Sequence, residues 1–296
     1  MNNMENWEII AGEMFKKEFK YFKGNKGRRP DSVTFSDIET DVKRRDLTVN
    51  ALFYDIKTKE IVDLVGGIED IKNGVIRTVG VATERFGEDR LRILRAIRFA
   101  ARTGSNLDKD IDKELRKNSS LNGISSERIM DEFIKGIKSA KSTKYFLHLI
   151  NIYNLFPWVL KNVSPLNKEF IDSNNPILVL SILLKNVSYH KISEKLGDIK
   201  YPSSITKKIA FLIAFNKTFS KETFYTLKKM HKVSGLEDET FKEFAKISNI
   251  DLDLVDKFIN HKFTIKGNYV MSKYNIKNKE VGDKIEELET QLFFNK

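Results

Sequence analysis

The sequence predicts an α+β fold: an N-terminal part with a few short strands, then a long, mostly α-helical remainder. Three observations lead there. Short β-prone runs bounded by turn residues fall in the first eighty residues, at 32–35, 54–56, 61–64 and 75–79. From Glu84 onward, apolar residues recur at helical spacing. Pro157, Pro165, Pro176 and Pro202 then punctuate a series of amphipathic stretches, as expected between helices.

Composition narrows the function classes. A chain of 296 residues with 41% hydrophobic content suits two or three packed units with a substantial core. No run of eighteen apolar residues is present, so no membrane span is predicted. Neither a secretory signal nor a membrane partner is expected, and the expected compartment is the cytoplasm. Cysteine is absent, which excludes disulfides and thiolate zinc sites. His148, His190, His231 and His261 are too scattered for a linear metal motif. The formal net charge of +11 favours an anionic partner, most simply nucleic acid, although a lysine-rich solvated surface has the same charge. Every arginine lies between Arg28 and Arg128, and the rest of the chain uses lysine. The arginines therefore mark places where a planar fork is needed for phosphate, base or carboxylate.

Residues 1–27 are polar and lysine-rich; Met14 to Phe22 fits a short helix or a strand. No aspartate precedes Asp31. Ser36 with Glu39 has the capping-box spacing for a short helix. Asp37-Ile38-Glu39 and Glu39-Thr40-Asp41 read as capping and surface charge. Then comes Arg44-Arg45-Asp46-Leu47-Thr48-Val49-Asn50, a polar cluster leading into apolar residues. Its arginines suit phosphates, and Asp46 and Asn50 suit ribose hydroxyls; a plain helix-start charge cluster is the alternative. A hairpin across 57–60 follows, then Asp63 with Gly66-Gly67, a pair that permits a tight turn or a flexible joint. It lacks the Gly-Lys-Ser/Thr of a phosphate loop.

Residues 84–102 read as one helix. Leu91, Leu94, Ile97 and Ala101 make an apolar face, Arg92, Arg95, Arg98 and Arg102 another, and Gly104 supplies the stop. Asp89 and Arg92 are three apart, hence neighbours on a helix surface. A carboxylate only accepts hydrogen bonds and a guanidinium only donates them. Side by side they match cytosine and adenine, which present an amino donor beside a ring-nitrogen acceptor, and mismatch guanine and uracil. An ordinary surface salt bridge is the plainer reading of the same spacing. Beyond Gly104 the chain is expected to be almost wholly helical. Ser125-Ser126 starts one helix, with Ile129, Phe133 and Ile137 on its apolar face. Further amphipathic stretches lie near 143–155, 176–186, 204–216, 238–247 and 251–260, read as bundle core. Near the end, Gly267 and Gly282 stand beside lysines, which suits either a phosphate contact or a capped terminal helix.

Taken together, Arg44-Arg45-Asp46 with Asn50, Asp63 with Gly66-Gly67, and Glu88-Asp89-x-x-Arg92 resemble, in order and spacing, motifs of the bacterial class II CCA-adding enzymes. These tRNA nucleotidyltransferases include the similar bacterial poly(A) polymerases. Arg28-Arg29-Pro30-Asp31-Ser32-Val33-Thr34-Phe35, Gly123-Ile124-Ser125-Ser126-Glu127-Arg128-Ile129 and the region from Gly267 to Gly282 extend the resemblance nearly to the C-terminus. It implies an incomplete nucleotidyltransferase head at 1–80, a neck for base selection at 81–140, and a helical body and tail at 141–296. By resemblance, Arg44, Arg45, Asp46 and Asn50 hold the nucleoside triphosphate and its ribose. Asp63, Gly66 and Gly67 form a hinge, Asp89 and Arg92 read the base, Glu88 supports them, and Arg95 and Arg98 orient Asp89 or touch phosphate. The implied substrates are CTP and ATP, and the implied partner is the acceptor arm of tRNA.

The family also carries a Gly-Gly-x-x-Arg-Asp segment and an Asp-x-Asp pair whose carboxylates bind Mg2+. Neither occurs before Arg28, so no catalytic or metal-ligating residue is assigned. The chain is thus expected to be the nucleotide-selecting and tRNA-binding part of such an enzyme, inactive alone or completed by a separate polypeptide. A poly(A) polymerase-like enzyme and a non-catalytic tRNA- or RNA-binding module are the alternatives.

Overall fold

The computed structural model describes residues 22–23, 32–33, 38–160, 170–198 and 200–295. The residues before Phe22 and the Ser36 cap lie outside them. The chain divides into two units, one of Met1–Ile124 with Ser139–Ser142, the other of Ser125–Lys138 with Thr143–Lys296.

In the first unit, β1 (Phe22–Lys23) pairs antiparallel with β2 (Ser32–Val33). Helix α1 (Ile38–Lys43) leads through Arg44-Arg45-Asp46 to a 3-10 turn at Thr48–Asn50. The expected hairpin forms between β3 (Leu52–Tyr54) and β4 (Ile61–Asp63), with Phe53 opposite Val62. Its loop closes because the Asp55 carboxylate accepts the Lys57 N–H at 2.8 Å while Lys59 takes a positive φ of 59°. Val42, Ala51, Phe53 and Val79 pack into one small core. Helix α2 (Gly67–Asn73) follows, then β5 (Val75–Ile76).

The stretch 84–102 is two helices, not one: α3 (Ala82–Glu88) and α4 (Leu91–Thr103). The break falls at Asp89, whose backbone is extended (φ −150°, ψ 107°). Its carboxylate accepts the Leu91 N–H at 3.0 Å, the alternative to helix that short acidic side chains offer. Helix α4 buries Leu91, Ile93, Leu94, Ala96, Ile97, Ala100 and Ala101. It ends as expected at Gly104, φ 74°, where the Gly104 and Ser105 N–H groups both return to the Ala100 carbonyl. The next residues are not helical: β6 (Asn106–Leu107) pairs parallel with β5 before α5 (Lys109–Lys117). That pairing joins segments thirty residues apart and has no local signal.

Every regular element described in the second unit is a helix. It comprises α6 (Ser126–Ser139), α7 (Thr143–Ile152), α8 (Phe156–Val159), α9 (Pro176–Leu183), α10 (Tyr189–Asp198) and α11 (Ser203–Thr218). It continues through α12 (Phe224–Ser234), α13 (Asp238–Ile247), α14 (Leu252–Asn260), α15 (Gly267–Tyr274) and α16 (Lys279–Phe294). Ile129, Phe133 and Ile137 are buried as predicted. The core is phenylalanine-rich, with Phe211, Phe215, Phe224, Phe241, Phe244, Phe258 and Phe293 in one cluster. Edge-to-face contacts such as Phe215–Phe241, 4.8 Å between centroids, suit the aromatic quadrupole. Glu289, fully buried, accepts the Thr264 and Ile265 N–H groups at 2.5 Å each and sits 3.1 Å from His261 Nε2. It thereby ties α16 to the segment entering α15. No helix among the described residues is long and apolar enough to cross a membrane.

Two stability outcomes follow. A Cβ at Gly136 would overlap the Cζ edge of the Phe146 ring, which packs against Phe133. Gly136→Ala is therefore expected to lower the urea-unfolding free energy by about 1–3 kcal/mol through overpacking. His231 sits against Phe211 and Phe241 with its Nε2 buried and unpartnered. Burial, then Lys228, lower its pKa, and Asp238 opposes them only in part. The unfolded chain then binds the proton more readily. Stability is complete above the ordinary histidine value and declines as pH falls through it toward the lowered folded value. His231→Phe is expected to flatten that part of a melting-temperature-versus-pH curve; an unchanged slope contradicts this.

Candidate functional site

The predicted site residues of the first unit are assembled by carboxylates acting on arginines. Asp41, on the last turns of α1, is buried, and its carboxylate binds both guanidiniums of the double-arginine segment. Arg45 Nε reaches Asp41 at 3.0 Å, Arg45 Nη1 donates to the Asn50 carbonyl at 2.6 Å, and its guanidinium lies 4.6 Å from the Phe53 ring centroid. Asp41 is therefore no surface charge, contrary to the sequence expectation. The available signal was its spacing of three and four residues from Arg44 and Arg45, which places all three on one side of a helical turn.

Asp46 follows immediately. One of its oxygens accepts from the Leu47 N–H at 3.0 Å and from Asn50 Nδ2 at 3.4 Å. The other takes Arg95 Nε of α4 at 2.5 Å. Arg92, one turn earlier on α4, donates from Nη2 to the Arg44 carbonyl at 3.3 Å and from Nη1 to Glu88 at 2.6 Å. Thus Arg44, Asp46, Asn50, Glu88, Arg92 and Arg95 meet in one cluster, although nearly fifty residues separate its halves. Asp89 stands at the junction entering α4, beside Glu88 and one turn before Arg92. Arg98 is largely buried, with its guanidinium 4.6 Å from the Phe99 ring centroid.

The Asp63, Gly66 and Gly67 group forms a tight turn. The Asp63 carboxylate accepts four backbone N–H groups, from Val65, Gly66, Gly67 and Ile68, at 2.9–3.1 Å. Partial burial pushes the carboxyl pKa upward, but the four amides outweigh it and hold the group below the ordinary value. Gly66 takes φ 80°. Gly67 is closely packed: a Cβ there lies 2.4 Å from the Thr48 carbonyl oxygen, so α2 abuts the turn that carries Asn50. Behind it, buried Asp70 accepts from the Thr48 hydroxyl at 2.7 Å and from Arg77 Nε at 3.1 Å; Arg77 also reaches Asp108 at 3.1 Å. The sequence reading missed this Asp70, Arg77 and Asp108 group, because nothing local marks a pair 31 residues apart.

Among the described residues, no group of three or more His, Asp or Glu side chains is placed to hold a metal ion. The described residues do not fit a two-metal centre.

The fold is shared with solved CCA-adding enzymes. That of Bacillus stearothermophilus in complex with CTP aligns with a TM-score of 0.67 at 22% identity, covering 90% of this chain and 72% of that one. That of Thermotoga maritima complexed with tRNA aligns with a TM-score of 0.59 at 19% identity, covering 100% of this chain and 82% of that one. Residues 10–77 match the poly A polymerase head domain family. A CCA-adding enzyme of Lactobacillus helveticus is 34% identical over 73% of this chain and 56% of its own length. One from Streptococcus agalactiae is 30% identical over 90% of this chain and 70% of its own. The chain belongs to the CCA-adding enzyme family, and it spans little more than half the length of the first of these relatives.

The packing around Gly67 gives a local test. Gly67→Ala is expected to displace the Thr48–Asn50 turn and to destabilise the unit by about 1–3 kcal/mol in denaturant unfolding. Asp63→Ala removes a four-amide cap and is expected to lose about 1–2 kcal/mol. Wild-type stability in both variants contradicts the reading of a tightly fitted turn.

Proposed function

We propose that this chain carries out nucleotide selection and tRNA holding in the addition of CCA to tRNA 3′ ends. The observation that carries the proposal is the joining of Arg44-Arg45-Asp46 to α4 through Arg95 and Arg92, which gathers two family motifs at one place. Asp89 accepts from the amino group of cytosine or adenine, and Arg92 donates to the adjacent ring nitrogen. Guanine and uracil present the reverse order and leave both groups unpaired, the kind of mismatch that discriminates strongly. Arg44 and Arg45 meet the triphosphate, and Asp46, oriented by Arg95, meets the ribose with Asn50. Asp63 and the Gly66-Gly67 turn adjust the pocket between the two bases. Residues 81–140 serve as the selecting neck. Residues 141–296 hold the acceptor arm of tRNA through backbone and shape, supported by the chain's net positive charge.

Phosphoryl transfer also requires carboxylates for magnesium. We assign these to a segment other than these 296 residues, on the same or a separate polypeptide. The chain is then inactive by itself.

The test is nucleotide addition to a tRNA lacking CCA, with magnesium, CTP and ATP. Addition is expected only when the chain is mixed with a polypeptide bearing the Gly-Gly and Asp-x-Asp segments. Asp89→Ala or Arg92→Ala is expected to lower it about a hundredfold or more. Addition at normal rates by the chain alone overturns the assignment of the metal ligands. The match to a poly A polymerase head domain supports a second reading, and long A tails on a generic RNA given ATP alone favour it. Salt-sensitive tRNA binding with no nucleotide bound favours a pure RNA-binding module.

A further inference from the structure

We infer that Arg85 is a positioning residue for base selection, acting on Arg92 through Glu88. The inference rests on the reading that Asp89 and Arg92 select the base.

Glu88 is about half exposed, and a lone Glu88–Arg92 pair at that exposure holds a side chain only weakly. Glu88 does not act alone. Arg85 Nη1 lies 2.8 Å from one of its oxygens and 2.9 Å from the other, while Arg92 Nη1 takes the second oxygen at 2.6 Å. The carboxylate is therefore fixed between two guanidiniums. Both arginine side chains are only 17% exposed, so the network is sealed on each side of its one wet member.

The main chain of Arg85 converges on the same place. Its carbonyl accepts the Asp89 N–H at 3.4 Å and Arg92 Nη1 at 3.4 Å. Arg85 thus touches the backbone of one proposed base reader and the guanidinium of the other.

The seating of the side chain has a physical cost. Its guanidinium lies against Gly80, where φ is 80° and a Cβ would stand 3.6 Å from Nε. In that position Arg85 Nε is buried without a hydrogen-bond partner. Leaving a charged donor unpaired is unfavourable, so its own satisfaction does not explain the placement. What the placement achieves is Nη1 on both Glu88 oxygens, with Glu88 on Arg92.

The experiment measures CTP and UTP binding to the full chain by equilibrium dialysis, beside the Nε–Hε NMR signal of Arg92. Arg85→Met, which keeps the packed stem, is expected to weaken CTP binding about fivefold, within the range of coupled pairs in one network. It is also expected to narrow the CTP-to-UTP preference and to shift or broaden the Arg92 signal. Arg85→Lys restores part of the preference, because it returns a cation to Glu88. Arg85→Met combined with Glu88→Gln is expected to bind no more weakly than Glu88→Gln alone. An unchanged preference and Arg92 signal in Arg85→Met overturns the inference; should that variant fail to fold, Arg85→Gln and Arg85→Lys are read by the same two criteria. Arg92→Ala separates the two layers. If it abolishes the preference while the Arg85 variants do not, only the role of Arg85 fails. If Arg92→Ala leaves the preference intact, or the wild-type chain binds neither nucleotide, base selection by Arg92 fails and the role of Arg85 with it.

Discussion

The 2.5 Å contact between Arg95 and Asp46 is the constraint around which the first unit's site is arranged. Burial of the apolar stripe of α4 supplies the stabilisation, and it is largely indifferent to small rotations of the helix about its axis. The ion pair is not indifferent. Asp46 is fixed by its own backbone neighbour and by Asn50, so Arg95 meets it at one helix setting only. That setting also carries Arg92 to the Arg44 carbonyl. The net stabilisation from a partly buried pair is small, because desolvation offsets attraction. Its contribution is register, and register is what brings two distant motifs into one cluster.

The other carboxylates of this unit follow the same logic at shorter range. Asp41 is shared by two arginines, so the double-arginine segment keeps a net positive charge while both forks are oriented. Asp70 ties the Thr48 hydroxyl to Arg77, and Asp63 is satisfied entirely by backbone amides. Each of these acids is matched to donors close at hand, which is the condition under which removing a carboxylate from water is tolerated. Arg45, Arg77 and Arg92 each serve several acceptors at once, a task that a planar fork suits.

The sequence made legible those features whose signals are local. The apolar face of α4, its stop at Gly104, the hairpin and the Asp63 turn all rest on residues within a few positions of one another. The helix starting at Ser126 was legible for the same reason, through Ile129, Phe133 and Ile137. Other features depend on distant partners and were not. The parallel pairing of β5 with β6 and the bridge from Arg77 to Asp108 join residues about thirty positions apart. Helices α10 and α12 were not among the stretches singled out, because few buried apolar residues mark them: Ile192 and Leu196 among the described side chains of α10, Phe224 and Leu227 in α12. Asp41 was misjudged for a subtler reason. Its spacing to Arg44 and Arg45 was visible, but burial is decided by what packs over the turn.

The break at Asp89 changes what the pair with Arg92 is. On one continuous helix, an aspartate and an arginine three apart readily satisfy each other, and a donor bonded to its own acceptor presents little to a base. Here the chain leaves the helix at Asp89, and one carboxylate oxygen is held by the Leu91 N–H. Arg92 is held from elsewhere, by Glu88 and by the Arg44 and Arg85 carbonyls. A guanidinium has five N–H donors, and these three acceptors engage only part of them. Asp89 is thus oriented in part by the Leu91 amide, and Arg92 by Glu88 and two carbonyls. A template for hydrogen bonding needs rigid groups whose alignment does not depend on pairing with each other. The same aspartate that ends α3 turns one carboxylate oxygen to the Leu91 N–H while Arg92 turns to other acceptors, and under the proposed reading that departure from the helical pattern is what presents both groups to a base.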